Sequence, residues 1–278
     1  MKLKIWQIDA FAERPLGGNP AAIVPLTSWL DDALLQAIAC ENNLAETAFI
    51  LARGAGDYEL RWFTPTMEVP LCGHATLASA WLIFSELEPQ LNEIQFSTRR
   101  SGVLSVTRGE GGWHRMRFPS GTSENVTAPE GVAEKLGACV GADAPDELFS
   151  APKGAAGTPG LLAVWAENSV RAMRLTGPLQ NLLSDLGFGA LLATAKADAP
   201  YDFVSRFFAP GMGVPEDPVT GSAHCTLAPF WAERLGKKEL FARQVSPRGG
   251  SVRCIDDGPS TILSGQCALY MRGEIELS

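Results

Sequence analysis

The sequence lacks the features that define several common classes of protein. Its six cysteines form no CxxC pair, which argues against a structural zinc site or a thioredoxin-like redox motif. No GxGxxG opens a βαβ unit, and no GxxxxGK followed by Ser or Thr occurs, so two common nucleotide-binding motifs are missing. The net charge is −8, which does not suit a surface that follows nucleic-acid phosphates. We therefore expect no nucleic-acid partner.

Long apolar runs are also missing. The longest, residues 75–84, is far shorter than the roughly 20 residues that a membrane-spanning helix requires. The opening MKLKIWQIDAF alternates like a strand and lacks the apolar core and cleavage site of a signal peptide. In a chain of this size the scattered cysteines are typical of free thiols in a reducing compartment. We expect a cytoplasmic protein that does not enter a membrane.

What the chain does contain is an internal repeat. Residues 61–70 read RWFTPTMEVP and residues 206–215 read RFFAPGMGVP, identical at six of ten positions. HATLASAW at 74–81 then returns as HCTLAPFW at 224–231, identical at five of eight. The repeat predicts two similar lobes. The copies differ most in the connectors between these blocks.

Periodicity predicts mixed α and β structure in each lobe. Seven short strands are expected in the first half, with a helix from Ser28–Asp31 to about Asn43 and a short helix near 129–136. The stretch after Gly73 is apolar on nearly every side, so it predicts a helix buried all round, inside a curled sheet. Its copy at 222–236 contains Pro229, where we expect a kink or a break.

Glu46 is the one ionisable side chain of the predicted strand LAETAFIL, which is apolar on both faces. An unpaired carboxyl buried there is a candidate for moving protons. The alternative is a glutamate at a strand end that points to solvent.

Cys72, Gly73 and His74 stand at the predicted start of the first buried helix. The free N–H groups of such an end, with a glycine that allows close approach, favour a bound carboxylate or phosphate. His74 is a candidate proton donor to a substrate, or a histidine that serves the core alone. Cys72 is a second candidate base if the helix end favours its thiolate.

Asp217, Gly221 and Ser222 precede or begin the second buried helix. Gly221 and a capping Ser222 predict another anion-binding helix end, whereas Asp217 before a proline is also ordinary turn chemistry. If the two helix ends face each other, these residues share one cleft with Glu46 and His74. A metal held by the two repeated histidines is disfavoured because no HxH or HxxxH spacing occurs, and His224 is interpreted as a packing residue.

The assembled motifs resemble those of the PhzF-like family, named after an isomerase of phenazine biosynthesis. They are DAFAERPLGGNPAAIV, NNLAETAFI, RWFTP with EVPLCGHATLASA, DPVTGSAHCTLAPFW and SPRGGSVRC, in this order along nearly the whole chain. The resemblance implies the α+β diaminopimelate epimerase-like fold, with two pseudo-symmetric lobes that each wrap a β-barrel-like sheet around a central helix. We expect lobes at 1–118 and 119–264, with strands from about 265–278 crossing back to the first.

The resemblance also implies function. Family members are commonly homodimers without an organic cofactor or metal. In the characterised isomerase a glutamate moves a proton between carbons of a dihydro-hydroxyanthranilate, while a histidine, an aspartate and a serine hold the substrate. These roles correspond to Glu46, His74, Asp217 and Ser222, and backbone donors for a substrate carboxylate correspond to Gly73 and Gly221.

Cys72 departs from that pattern. The characterised isomerase has a small residue there, whereas epimerases of the same fold use a cysteine as their catalytic base. Three hypotheses follow: a proton-moving isomerase that acts on a small carboxylate through Glu46, a racemase or epimerase that depends on Cys72, and a carboxylate-binding or interaction protein without catalysis. The racemase would need a second thiol, and the matching position holds Thr220.

Overall fold

A computed structural model describes residues 1–153 and 158–277. The chain divides into two compact units. The first contains Met1–Arg117 and Ser264–Ser278, and the second contains Phe118–Leu263.

The units are built mainly of strands. The strands are β1 (Lys2–Ala10), β2 (Asn19–Leu26), β3 (Glu46–Gly54), β4 (Asp57–Phe63), β5 (Glu68–Val69), β6 (Glu93–Thr98), β7 (Val103–Arg108), β8 (His114–Pro119), β9 (Glu124–Asn125), β10 (Glu147–Lys153), β11 (Pro159–Val164), β12 (Ala190–Lys196), β13 (Phe203–Ala209), β14 (Val214–Asp217), β15 (Glu239–Gln244), β16 (Gly250–Asp257), β17 (Ser260–Gly265) and β18 (Cys267–Glu276). The helices are α1 (Asp32–Asn42), α2 (Gly73–Leu82), α3 (Val132–Val140), α4 (Glu167–Ala172), α5 (Leu179–Asp185) and α6 (Gly221–Leu235).

The two units repeat one pattern of strand pairing. In the first, β2 and β3 are parallel, β3 and β4 antiparallel, β4 and β6 parallel, and β6 and β7 antiparallel. In the second, β11 and β12, β12 and β13, β13 and β15, and β15 and β16 follow the same order. The duplication seen in the sequence therefore extends to strand topology. The mixed sheets and the buried helices confirm the predicted fold class.

The repeated RxFxPxMxVP blocks form matching scaffolds. Arg61 on β4 binds Glu68 through Nε and Nη2 at 2.8 and 2.9 Å. Arg206 on β13 binds Glu216 through the same two atoms, both at 2.7 Å. Both arginines are buried, so each lobe fixes the strand before its central helix with a two-pronged ion pair.

The helix α2 is enclosed, as its sequence predicts. It packs against β1, β2, β3 and β18 of its own unit, and eight of its ten residues are buried. A π-helical turn, Ile83–Leu87, continues it. The helix therefore supports the β2 and β3 ends from inside the sheet.

The helix α6 continues through Pro229, so of the expected kink or break the break is wrong. A proline cannot donate to the carbonyl four residues earlier, which here belongs to Cys225. That carbonyl instead accepts bonds from the Gly121 N–H at 2.9 Å and the Thr261 hydroxyl at 3.3 Å. The replacement donors explain why the helix continues through Pro229.

Other helix boundaries differ from expectation. α1 is confirmed, but its N-cap is Asp31 and not Ser28, and neither a serine nor an aspartate side chain caps it. α3 begins three residues later than the predicted 129–136 and extends beyond it. Among the residues described, no helix combines the length and apolar character that a membrane crossing requires.

Candidate active site

The first unit brings its site residues together at one end of a parallel strand pair. Asn19 is the first residue of β2 and Glu46 the first of β3, and Ala21 pairs with Glu46 in register. Since parallel strands begin at the same edge of a sheet, both side chains lie at that edge. The short strand β5 begins at Glu68, the partner of Arg61, and the chain then reaches Cys72, the N-cap of α2. His74, in the first turn of α2, lies beside Glu46.

The closest polar contact of the cluster joins Glu46 and His74. Glu46 Oε2 lies 3.0 Å from His74 Nε2, with the two side chains 18% and 7% exposed. The oxygen lies off the direction of a straight hydrogen bond, as often occurs in apo sites whose contacts tighten on binding. The solvent-facing alternative is therefore wrong, because Oε2 is buried, and His74 is a neighbour that the sequence did not predict for this carboxyl. The sequence could not show the partner because it stands on another element.

The pKa of His74 is raised in this setting. Burial alone lowers the pKa of His74, but the neighbouring Cys72 and Glu46 raise it by more, so the pKa lies well above the usual 6.5. The Asn19 amide lies 3.3 Å from Nδ1 and orients the ring from its other side. The cluster thus combines an acid and a base within hydrogen-bond distance, at the partly exposed end of a buried helix.

Cys72 stands beside the same ring. Its Sγ is 3.5 Å from His74 Nδ1 and 4.0 Å from Nε2. Burial, followed by the charge of Glu46, raises the pKa of the thiol to about 11. Because a thiol must ionise to act as a base, this shift disfavours the Cys72-dependent hypothesis at neutral pH.

In the second unit, Asp217 ends β14 in a tightly bonded turn. Its Oδ2 accepts a 2.5 Å hydrogen bond from the Thr220 hydroxyl. Gln244, at the end of β15, accepts the Thr220 N–H at 2.9 Å and donates to the Asp217 carbonyl at 2.7 Å. Gln244 is fully buried, so it fixes both ends of the turn that leads into α6.

The N-terminus of α6 differs from the expected one in its cap. The N-cap is Thr220 and not Ser222, and the Thr220 hydroxyl is used by Asp217. Gly221 is the first helical residue, and Ser222 follows it in an exposed position. The first N–H groups of both α2 and α6 have no acceptor within their own helices, which is the general basis of anion binding there. Whether Asp217, Gly221 and Ser222 act on the same molecule as Glu46 stays a prediction.

His224 is a core residue, which confirms its interpretation as packing. It is fully buried, its Nδ1 lies 2.8 Å from the Thr220 carbonyl, and its ring packs near Phe203. Burial lowers the pKa of His224 to about 4, so the ring is neutral. Its repeat partner His74 therefore differs from it in the direction of the pKa shift as well as in its neighbours.

Two contributors were missed by sequence reasoning. Asn19 follows a Gly-Gly pair within the quoted GGNP segment, which reads as turn chemistry and conceals its contact with His74. Gln244 is one of three polar residues in β15 and belongs to no motif. Only the folded chain brings each of them to its partner.

Comparisons with known proteins agree with this architecture. The sequence profile of the family described as phenazine biosynthesis-like protein matches residues 8–273. A Pseudomonas aeruginosa protein named as an uncharacterized isomerase is 46% identical over 277 residues, covering 100% of both chains. The crystal structure of a PhzF-family phenazine biosynthesis protein from Enterococcus faecalis superposes with a TM-score of 0.89, at 37% identity and 100% coverage of both chains.

A more distant likeness shows the fold alone. A probable proline racemase from Agrobacterium radiobacter has a TM-score of 0.62 at 10% identity, covering 99% of this chain and 93% of its own. The fold and the relatives together define an isomerase. The chain belongs to the phenazine biosynthesis-like, or PhzF, family.

Proposed function

We propose that the protein is a cofactor-independent isomerase that moves a proton on a small carboxylated molecule bearing an amino or hydroxyl group. The observation that carries this proposal is the Glu46 carboxylate 3.0 Å from His74 Nε2, at the start of a buried helix. Glu46 takes a proton from one carbon of the substrate and returns it to another. No other product or oxidant is then required, because the reaction only relocates a hydrogen.

His74 has two tasks in this scheme. Its Nε2 lies beside Glu46 before the reaction. The Nε2–H then acts as a donor to the developing negative charge on the substrate, or to the substrate's carboxyl group. Asn19 keeps the ring in place through Nδ1. General acid–base catalysis of this kind contributes about 100- to 10,000-fold to the rate.

The backbone at the two helix starts supplies carboxylate binding. Gly73 begins α2 and Gly221 begins α6, and each leaves N–H groups for an anionic ligand. Asp217 is proposed to orient the amino or hydroxyl group of the same substrate, and Ser222 to bind its polar groups. These assignments rest on the sequence repeat and on family membership. We further propose that the protein works in the cytoplasm as a homodimer, as the family resemblance implies.

Solvent deuterium incorporation tests the proposal. A panel of α-amino acids, α-hydroxy acids and dihydro-3-hydroxyanthranilate is incubated with the protein in D₂O, and label at carbon is followed by NMR. Glu46→Gln is expected to lower the exchange rate by at least 100-fold, since it removes the group that carries the proton. Absence of label with every compound, or unchanged exchange in Glu46→Gln, contradicts the proton-transfer role.

The other two hypotheses give different results in the same assay. A racemase that depends on Cys72 loses exchange in Cys72→Ala and keeps it in Glu46→Gln. A binding protein without catalysis binds a carboxylate and shows no label with any compound. The raised pKa of Cys72 and its Thr220 counterpart in the second lobe argue against the racemase.

A further inference from the structure

Trp62 is a buried residue of the first unit that the proposed reaction does not use. The residue is 2% exposed, and its indole Nε1 has no hydrogen-bond acceptor among the described residues. Four other tryptophans, Trp6, Trp29, Trp165 and Trp231, each donate Nε1–H to an oxygen. A buried tryptophan normally has such a partner, so the unpaired N–H of Trp62 requires an explanation.

The strand pairing places Trp62 next to Glu46. Trp62 on β4 pairs with Ala48 on β3, and Glu46 stands two residues before Ala48, on the same face of that strand. Diagonal neighbours of this kind are about 7 to 8 Å apart, which is within reach of an aromatic side chain. Glu46 Oε2 is also buried and also without a hydrogen bond among the described residues. An unsatisfied donor and an unsatisfied acceptor therefore occupy neighbouring positions.

The second unit lacks both groups at the matching positions. The repeat aligns Phe207 with Trp62, as RFFAP against RWFTP. Phe207 pairs with Leu192 on β12. Ala190, two residues before Leu192, is the counterpart of Glu46. The repeated scaffold thus needs an aromatic ring but no indole N–H, and the N–H occurs only in the unit that has the carboxyl.

A single hydroxyl group satisfies both atoms. Its O–H donates to Glu46 Oε2, and its oxygen accepts the Trp62 N–H. An ammonium group has donors but no acceptor, so it would leave the indole N–H unpaired. The carboxylate has a second oxygen, which stays available to take a proton from carbon.

We propose that Trp62 Nε1–H binds the hydroxyl group of a hydroxy-carboxylate substrate, and that the same hydroxyl donates to Glu46 Oε2. The inference selects the hydroxyl over the amino group within the proposed substrate class. It rests on the proposed function only in that Glu46 is taken as part of the binding site.

Pairs of acids that differ in one group provide the probe. Lactate with alanine, malate with aspartate, and 3-phenyllactate with phenylalanine are titrated by calorimetry, each pair with the same configuration. Trp62→Phe, which introduces the residue of the second unit, is expected to weaken binding of a hydroxy acid by about 3- to 10-fold, the value of one hydrogen bond. Binding of its amino counterpart should not change. Trp165→Phe removes an indole that is bonded to the Asp143 carbonyl, and as the matched control it should change neither affinity.

Nuclear magnetic resonance of the wild type gives a measurement that does not depend on the stability of a variant. The indole N–H signal of Trp62 in ¹⁵N-labelled protein, assigned by triple resonance, should move to lower field with a hydroxy acid and by less with its amino counterpart. The inference is overturned if no hydroxy acid moves this signal, if both members of every pair move it equally, or if Trp62→Phe weakens neither member or both members equally. The two proposals fail separately. Deuterium exchange without a Trp62 response refutes only this inference, and a Trp62 response without exchange refutes only the isomerase.

Discussion

The duplicated arginine pairs predict unequal costs for two chemically identical substitutions. In the second unit Arg206 is held by Glu216, and its side chain is 1% exposed. Its remaining acceptors are the neutral carbonyls of Val170 and Met173. Glu216→Gln therefore leaves a buried cation without a carboxylate partner among the described residues.

In the first unit the corresponding arginine has a reserve partner. Arg61 binds Glu68, but its Nη1 also lies 2.8 Å from Asp32 Oδ1. Removing one partner of a buried ion pair costs about 3 to 5 kcal/mol, because the other charge is left uncompensated. We assign this cost to Glu216→Gln. We expect Glu68→Gln to cost about 1 kcal/mol less, since an ion pair with an exposed partner such as Asp32 contributes about 0 to 1 kcal/mol.

Urea unfolding at neutral pH, followed by circular dichroism, measures both free energies. The double change Arg206→Met with Glu216→Gln should be less destabilising than Glu216→Gln alone, because no unpaired charge remains buried. The reasoning is refuted if Glu216→Gln costs less than about 1 kcal/mol, or if Glu68→Gln costs as much as Glu216→Gln.

Two further changes test the core and the turn before Asn19. The pKa of His224 is about 4 when folded and near 6.5 when unfolded, so its neutral form contributes about 3 kcal/mol above pH 6.5, which is lost as the pH falls toward 4. His224→Gln should reduce the pH dependence of the unfolding free energy over that pH range, and the similar contribution of His114 should remain. An unchanged pH dependence contradicts this prediction. Gly18 has a φ of +60° and a Cβ there would lie 2.1 Å from the Ala10 carbonyl, so Gly18→Ala should cost at least about 1 kcal/mol in urea unfolding and disturb the neighbouring Asn19. Gly54→Ala, with open space and no positive φ, is its control and should change stability by less than about 0.5 kcal/mol; equal effects would count against the clash.

Much of the fold was readable in the sequence because it depends on local patterns. The all-round apolar stretch after Gly73 predicts an enclosed helix, and α2 is enclosed. Pro229 is a case in which a local sequence rule predicts the wrong structure. A proline predicts a break, but the freed Cys225 carbonyl finds Gly121 and Thr261, which are distant in the sequence. Such compensation depends on tertiary contacts that no window of residues contains.

The candidate site was only partly readable for the same reason. Glu46 and His74 were selected for their unusual settings, but their contact at 3.0 Å depends on the packing of the helix α2 against the strand β3. The repeat aligns Arg61 with Arg206. It does not align their partners Glu68 and Glu216, because these follow the arginines by seven and by ten residues. Gln244 had no signal, because its importance comes from the two backbone groups that it bonds.

The most direct measurement of the central claim compares Glu46→Gln with Glu41→Gln. Glu41 is an exposed carboxyl on α1 and provides a matched control for the same chemical change. With a compound that exchanges in D₂O, Glu41→Gln should retain the wild-type rate of deuterium incorporation and Glu46→Gln should lose at least 100-fold. Equal rates in the two variants would contradict proton transfer by Glu46.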